Sequence, residues 1–157
     1  MQLFVMRHGQ ANPLGESDAQ RSLTRQGVNE ATQMAQWLAK QHSPIEQILV
    51  SPYVRAQQTA QQFAIHPEIS AQVNTINFIT PEGNAKQVHD YIDGMLATEA
   101  VECLLIVSHM PLVSYLVAEL TAEANSPIFQ TAAIAHIDYD INAMKGRLIE
   151  LIAPNDI

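Results

Sequence analysis

A single cysteine, Cys103, stands among the 157 residues. No internal disulfide can form, and its place in an apolar run marks an inert core thiol rather than a nucleophile. Basic residues are scarce as well: eight Lys plus Arg against sixteen Asp plus Glu, for a net charge of −8. That balance lacks the electrostatic footprint of a DNA- or RNA-binding protein. Long apolar runs are missing, since stretches such as Leu104-Leu105-Ile106-Val107 are far too short to cross a bilayer. The chain starts directly on Leu3-Phe4-Val5-Met6, without the basic start and long apolar middle of a signal peptide. No repeat, low-complexity tract or linker breaks the chain. The expectation is one domain over residues 1–157, cytoplasmic and monomeric, with no membrane or nucleic-acid partner. Scarcity gives meaning to the five arginines, because an acidic protein that binds phosphate must gather its few cations at one spot.

What is present alternates between two periodicities. Leu3 to Met6, closed by Gly9, reads as a buried strand and a turn. The polar stretch from Gln10 to Ser22 reads as a loop. Thr24 can cap a helix whose apolar positions are Val28, Ala31, Met34, Ala35 and Leu38, ending near Ser43-Pro44. A second strand is expected over Ile45 to Val50, closed by Ser51-Pro52, and a helix from Tyr53 to Ala64. Ile76, Phe78 and Ile79 suggest a third strand, with a turn at Pro81-Glu82-Gly83. Val88, Tyr91, Ile92, Met95 and Leu96 mark another helix, and Leu104 to Val107 the clearest buried strand. Pro111 suits the first turn of a helix through Leu120. Ala133 to Tyr139 and Leu148 to Ile152 close the chain as strands joined by a turn containing Gly146. This order predicts an α/β fold, a three-layer α/β/α domain around a mostly parallel sheet with one strand antiparallel.

In such sheets ligands bind outside the carboxyl ends of the strands. Three of the expected strands end in chemically loaded residues: Arg7-His8-Gly9, Ser51-Pro52 with Arg55 one helical turn on, and Ser108-His109. Parallel strands would bring them to one edge. A neutral imidazole can attack phosphorus and hold the phosphoryl group, splitting one hard displacement into two easier ones. The forks of Arg7 and Arg55 match phosphate oxygens. His109, if protonated, adds a further donor, while the arginines disfavour an imidazolium at His8. Gly9 would let the backbone turn sharply and approach the ligand.

The same residues carry a resemblance. Arg7-His8-Gly9, Leu23-Thr24-Arg25-Gln26-Gly27, Ser51-Pro52 with Arg55-Ala56-Gln57-Gln58-Thr59, and Ser108-His109, in this order, resemble the histidine phosphatase (phosphoglycerate mutase-like) superfamily. Met34-Ala35 with Trp37-Leu38, Ser108 through Val113, and Tyr115 through Leu120 draw the likeness closer to its small phosphohistidine phosphatases. It covers the chain from Met1 to about Tyr139. It implies His8 as nucleophile, with Arg7, Arg55 and His109 forming the phosphate pocket and Arg21 joining from the loop before L-T-x-x-G. No cofactor and no metal are implied.

Many members of the superfamily add a carboxylic acid that protonates the leaving group. Here that pattern is incomplete, and Glu82 is the candidate, with Glu16 and Asp18 behind it; as a turn carboxylate, Glu82 is otherwise simply solvated. An alkoxide needs that proton in the transition state, whereas an imidazole can be protonated beforehand. The leading expectation is therefore hydrolysis of phosphohistidine on a protein such as a histidine phosphotransfer domain. No stretch between the strands is long enough for a capping subdomain, which leaves the pocket open to a protein-borne side chain. The alternatives are a small-molecule phosphomonoesterase or mutase and a non-catalytic phosphate-binding module. His42, His66, His89 and His136 read as structural, and Trp37 as core or a partly buried anchor. A zinc site on His8 and His109 is rejected, since no further ligands of suitable spacing accompany them and arginines would repel the ion.

Overall fold

The strand-end argument depends on which strands lie side by side. In a computed structural model, which describes residues 1–41 and 44–157, six strands form one sheet in the order β3-β2-β4-β1-β5-β6. They are β1 (Gln2–Arg7), β2 (Gln47–Val50), β3 (Gln72–Thr75), β4 (Cys103–Ser108), β5 (Ile134–Asp140) and β6 (Lys145–Ile152). The first four are parallel, and β5 runs against both of its neighbours. Four helices cross between strands: α1 (Arg25–Ala39), α2 (Val54–Ala64), α3 (Ala85–Thr98) and α4 (Leu112–Leu120). His42 and Ser43, where the first helix was expected to stop, lie outside the described residues.

The central strands show no apolar–polar alternation because both of their faces are covered. Leu3 and Val5 of β1, with Leu104 and Ile106 of β4, pack under Val88, Ile92 and Leu96 of α3 and Leu116 and Leu120 of α4. Phe4 and Met6, with Leu105 and Val107, face Met34 and Leu38 of α1 and Ala60 and Phe63 of α2. The sheet is thus the middle of three layers. Each fully buried Leu, Ile or Val contributes roughly 1.5–3 kcal/mol relative to exposure. Helix starts are chemically marked: the Thr24 hydroxyl accepts from Gly27 N at 3.0 Å, and Asn84 Oδ1 accepts from Gln87 N at 3.0 Å.

Two expectations are corrected. The third strand is Gln72–Thr75, not the Ile76–Ile79 run. It forms the sheet edge with mostly exposed side chains, so apolar content does not mark it. Ile76 and Ile79 enter the core from the turn that follows. Gly146 lies within β6 opposite Tyr139 rather than in the connecting turn. A Cβ there would come within 2.6 Å of Ile137 Cγ2 and 2.7 Å of Asp138 O, so close strand packing requires the glycine.

Strand order also locates the site. From β1 the chain leaves through α1 toward β2, and from the adjacent β4 it leaves through α4, on the other face, toward β5. The carboxyl ends of β1 and β4 therefore diverge to opposite faces, the switch point where open α/β sheets bind ligands.

Candidate active site

At that switch point the register is tight. Arg7 pairs with Ser108, His8 N donates to Ser108 O at 3.0 Å, and Ser51 N donates to Val107 O at 3.1 Å. Backbone hydrogen bonds alone thus bring the ends of three strands to one level. The rings of His8 and His109 meet edge to face with centroids 5.1 Å apart, and the Tyr53 ring also meets His109 edge to face at 5.0 Å.

Both nitrogens of His8 are engaged. Nδ1 lies 2.7 Å from Gly9 O, which makes it the protonated nitrogen, and Nε2 accepts from Arg55 Nε at 3.2 Å. Burial, opposed by the Gly9 carbonyl and reinforced by the charges of Arg55, Arg7 and Arg21, lowers the imidazole pKa to about 4. His8 is therefore neutral at physiological pH with its Nε2 lone pair toward the arginine. His109 is also driven down, to about 3, by burial first and then by His8 and Arg55. The condition that His109 be protonated is therefore not met at neutral pH, because a solvent-excluded ring near Arg55 and Arg7 holds a proton poorly. His109 Nε2 lies 2.7 Å from Ser51 Oγ, while its Nδ1 is buried without a hydrogen-bond partner among the described residues.

The arginines differ in how they are held. Arg7 Nη1 donates to Phe129 O at 2.8 Å, and its Nε is buried and unpartnered. Arg55, 4% exposed, leans over the Tyr53 ring. Its Nη1 donates to Asp18 O at 2.6 Å and its Nη2 to Asp18 Oδ2 at 3.2 Å. Arg21 donates from Nε to Asn12 O at 2.7 Å and from Nη1 to Asp18 Oδ1 at 2.8 Å. Asp18 thereby ties the loop arginine to the helix arginine from a short 3₁₀ turn, Asp18–Gln20. Its carboxyl pKa is lowered, chiefly by the hydrogen bond from Arg21. A carboxylate so held is a poor proton donor while both arginines engage it. Glu82 sits exposed in the Thr80–Gly83 turn and makes no hydrogen bond or ion pair with the described residues.

Gly9 carries a packing constraint beyond the one expected. No glycine among the described residues has positive φ. A Cβ on Gly9 would instead meet Gly27 O at 2.5 Å, and one on Gly27 would meet Gln10 O at 2.0 Å. The turn after β1 lies directly on the first turn of α1. Gly9 N also donates to Thr59 Oγ1 at 3.1 Å, and Thr59 in turn donates to Arg55 O at 2.8 Å. Sequence reasoning passed over Ser51, Tyr53 and Thr59 as site residues. Thr59 had a signal: it lies four residues after Arg55, on the same helix face.

Of the other histidines, His42 lies outside the described residues. His66 Nδ1 accepts from Glu68 N at 3.1 Å in the turn after α2, and His136 stacks on Phe4 at 4.5 Å while its Nε2 pairs with Gln2 Oε1. His89 is buried between Tyr139 OH, the Met144 carbonyl and Glu119, with Asp93 rather than Asp90 as its same-helix partner. Trp37 is half-buried against the α1–α2 core. Burial pushes the Cys103 thiol up to about 12, with Glu46 adding to the shift, consistent with an inert side chain. Among the described residues no cluster of His, Cys, Asp and Glu is arranged to hold a metal ion. No helix there is long and apolar enough to cross a membrane.

Comparison with known proteins gives the same grouping. Residues 3–87 match the family model of the histidine phosphatase superfamily (branch 1). The chain is 41% identical over 140 residues to the phosphohistidine phosphatase SixA of Escherichia coli (strain K12), covering 89% of this chain and 86% of that one. It is 43% identical over 150 residues to the SixA homolog of Haemophilus influenzae, covering 90% of each. A solved structure of the protein histidine phosphatase SixA complexed with tungstate superposes with a TM-score of 0.89 at 40% identity, covering 99% of both chains. With four motifs meeting at one switch point and relatives matched along nearly their whole length, the chain belongs to the histidine phosphatase superfamily.

Proposed function

We propose that this protein is a phosphohistidine phosphatase in which His8 Nε2 receives the phosphoryl group from a histidine on a protein partner and then yields it to water. The observation that carries this reading is the pair of buried, unpartnered nitrogens, Arg7 Nε and His109 Nδ1, on residues at the strand ends beside a neutral His8. Buried donors are left without partners only rarely, and a phosphoryl group would supply acceptors for both. In the first step the Nε2 lone pair bonds to phosphorus as the substrate's P–N bond breaks, and the substrate ring, protonated beforehand on its other nitrogen, keeps the electron pair and departs as neutral imidazole. The Nδ1–H···O bond to Gly9 holds the His8 ring as positive charge develops on it. Arg7, Arg55 and His109 spread the charge of the transferred oxygens, and Arg21 reaches them from the loop. Water then attacks phosphorus, and His8 leaves as the neutral base.

Two further observations favour a P–N bond over an ester. Asp18 is committed to two arginines, and Glu82 is exposed and makes no hydrogen bond or ion pair, so neither candidate acid among the described residues is engaged with His8. The relatives carry names that specify phosphohistidine, and one binds tungstate, a tetrahedral oxyanion of phosphate-like shape. The partner in this reading is a histidine phosphotransfer domain, whose exposed phosphohistidine can enter an uncovered pocket.

The test compares turnover of a phosphohistidine protein, a phosphoaspartate protein and a panel of phosphate esters. The first should be preferred, through an acid-labile, base-stable adduct that is lost in His8→Ala. An ester preferred over phosphohistidine, or an adduct that persists in His8→Ala, would overturn the reading.

A further inference from the structure

Ser51 closes β2, is fully buried, and has its hydroxyl between two partners. Tyr53 N donates to Ser51 Oγ at 3.2 Å, and His109 Nε2 lies 2.7 Å away on the other side. Tyr53 N can only donate, so among the described residues His109 Nε2 is the one partner that can accept the Ser51 hydroxyl proton. A neutral imidazole has one N–H and one bare nitrogen, and its hydrogen bonds decide which is which. Accepting from Ser51 makes Nε2 the bare nitrogen and leaves the proton on Nδ1, the nitrogen without a partner.

The opposite tautomer would set a bare, buried lone pair beside the site and offer phosphate oxygens nothing but repulsion. We propose that Ser51 is a positioning residue that holds His109 as its Nδ1–H tautomer, so that a neutral His109 donates to the transferred phosphoryl oxygens. The assignment rests on the proposed phosphoryl transfer for its purpose, but its structural content does not depend on which substrate is used. It also resolves how a histidine that stays neutral can still act as a donor. The Tyr53 and His8 rings both meet His109 edge to face and limit its rotation. The tautomer, not the ring position, is therefore the degree of freedom that Ser51 controls.

The experiment is nitrogen-15 NMR of the histidine rings in the full-length protein at neutral pH, with His109 assigned by the signal missing in His109→Gln. Wild type should show a protonated Nδ1 and a bare Nε2. Ser51→Ala should shift the population toward the other tautomer and lower kcat about tenfold, the worth of one neutral hydrogen bond, with little change in KM. Ser51→Thr, which keeps the hydroxyl, should restore both readouts. A wild-type His109 protonated at Nε2, or an Nδ1–H tautomer unchanged in Ser51→Ala, overturns the proposal. Because the spectrum needs no substrate, failure of phosphohistidine turnover with the expected tautomer would sink the proposed function and leave this assignment intact.

Discussion

The active-site edge has two halves built by different means. His8, Ser51 and His109 stand at the ends of adjacent parallel strands, and the ladder fixes their level before any side chain acts. Arg21, Asp18 and Glu82 come from loops, where Arg21 and Asp18 hold each other and Glu82 is held by nothing. Arg55 belongs to both halves: its helix follows directly from β2, yet its guanidinium reaches across to the loop carboxylate. Groups placed by a ladder cannot be moved without unfolding the sheet. Groups placed by one another can rearrange when a competing anion arrives.

This contrast sets the order of expected effects. Arg55→Ala should lower kcat/KM about 100- to 1,000-fold, the usual cost of removing one preorganised donor. Arg21→Ala should cost distinctly less, because water can replace an exposed loop donor, and near-equal losses measured side by side would erase the distinction between the halves.

A smaller effect appears with pH. The folded-state pKa values of His8 and His109 lie below the unfolded value of 6.5. The unfolded chain therefore binds protons first as pH falls. The stability these rings contribute as neutral groups is complete above about 6.5 and drains away as pH falls toward about 4 for His8 and about 3 for His109. At pH 5.5 the loss should be on the order of 1 kcal/mol for each ring. Denaturant melts at pH 7 and 5.5 check this, with a His8→Gln, His109→Gln double variant that should lose much less. The acid limb of kcat/KM should likewise fall well below pH 6.5, since His8 stays a competent base until it protonates.

The smallest effect expected is that of Glu82→Gln, which should retain most phosphohistidine turnover. General acid assistance is worth about 100- to 10,000-fold, so a large loss in the folded variant would put a working carboxylic acid on the mobile side of the comparison.

Legibility in the sequence follows the same division. The two central strands, β1 and β4, are continuous apolar runs, and their loaded ends were readable because such strands sit adjacent in few arrangements. The edge strand β3 was misplaced because an edge needs no apolar side chains. The roles of Ser51 and Asp18 were not readable. Each depends on a partner far off in sequence, His109 for the one and Arg55 for the other, and no spacing rule predicts that meeting. One constraint on Gly9 was not readable: a tight turn is a local property, whereas its close contact is with Gly27, distant in sequence.

That constraint has an evolutionary consequence. The obstruction at Gly9 is the backbone of Gly27, and the obstruction at Gly27 is the backbone of Gln10. Main chain cannot be trimmed by substitution, so no change at one position relieves a side chain added at the other. Two motifs separated in the sequence thus constrain each other, and a side chain at either position requires the main chain at the other to shift.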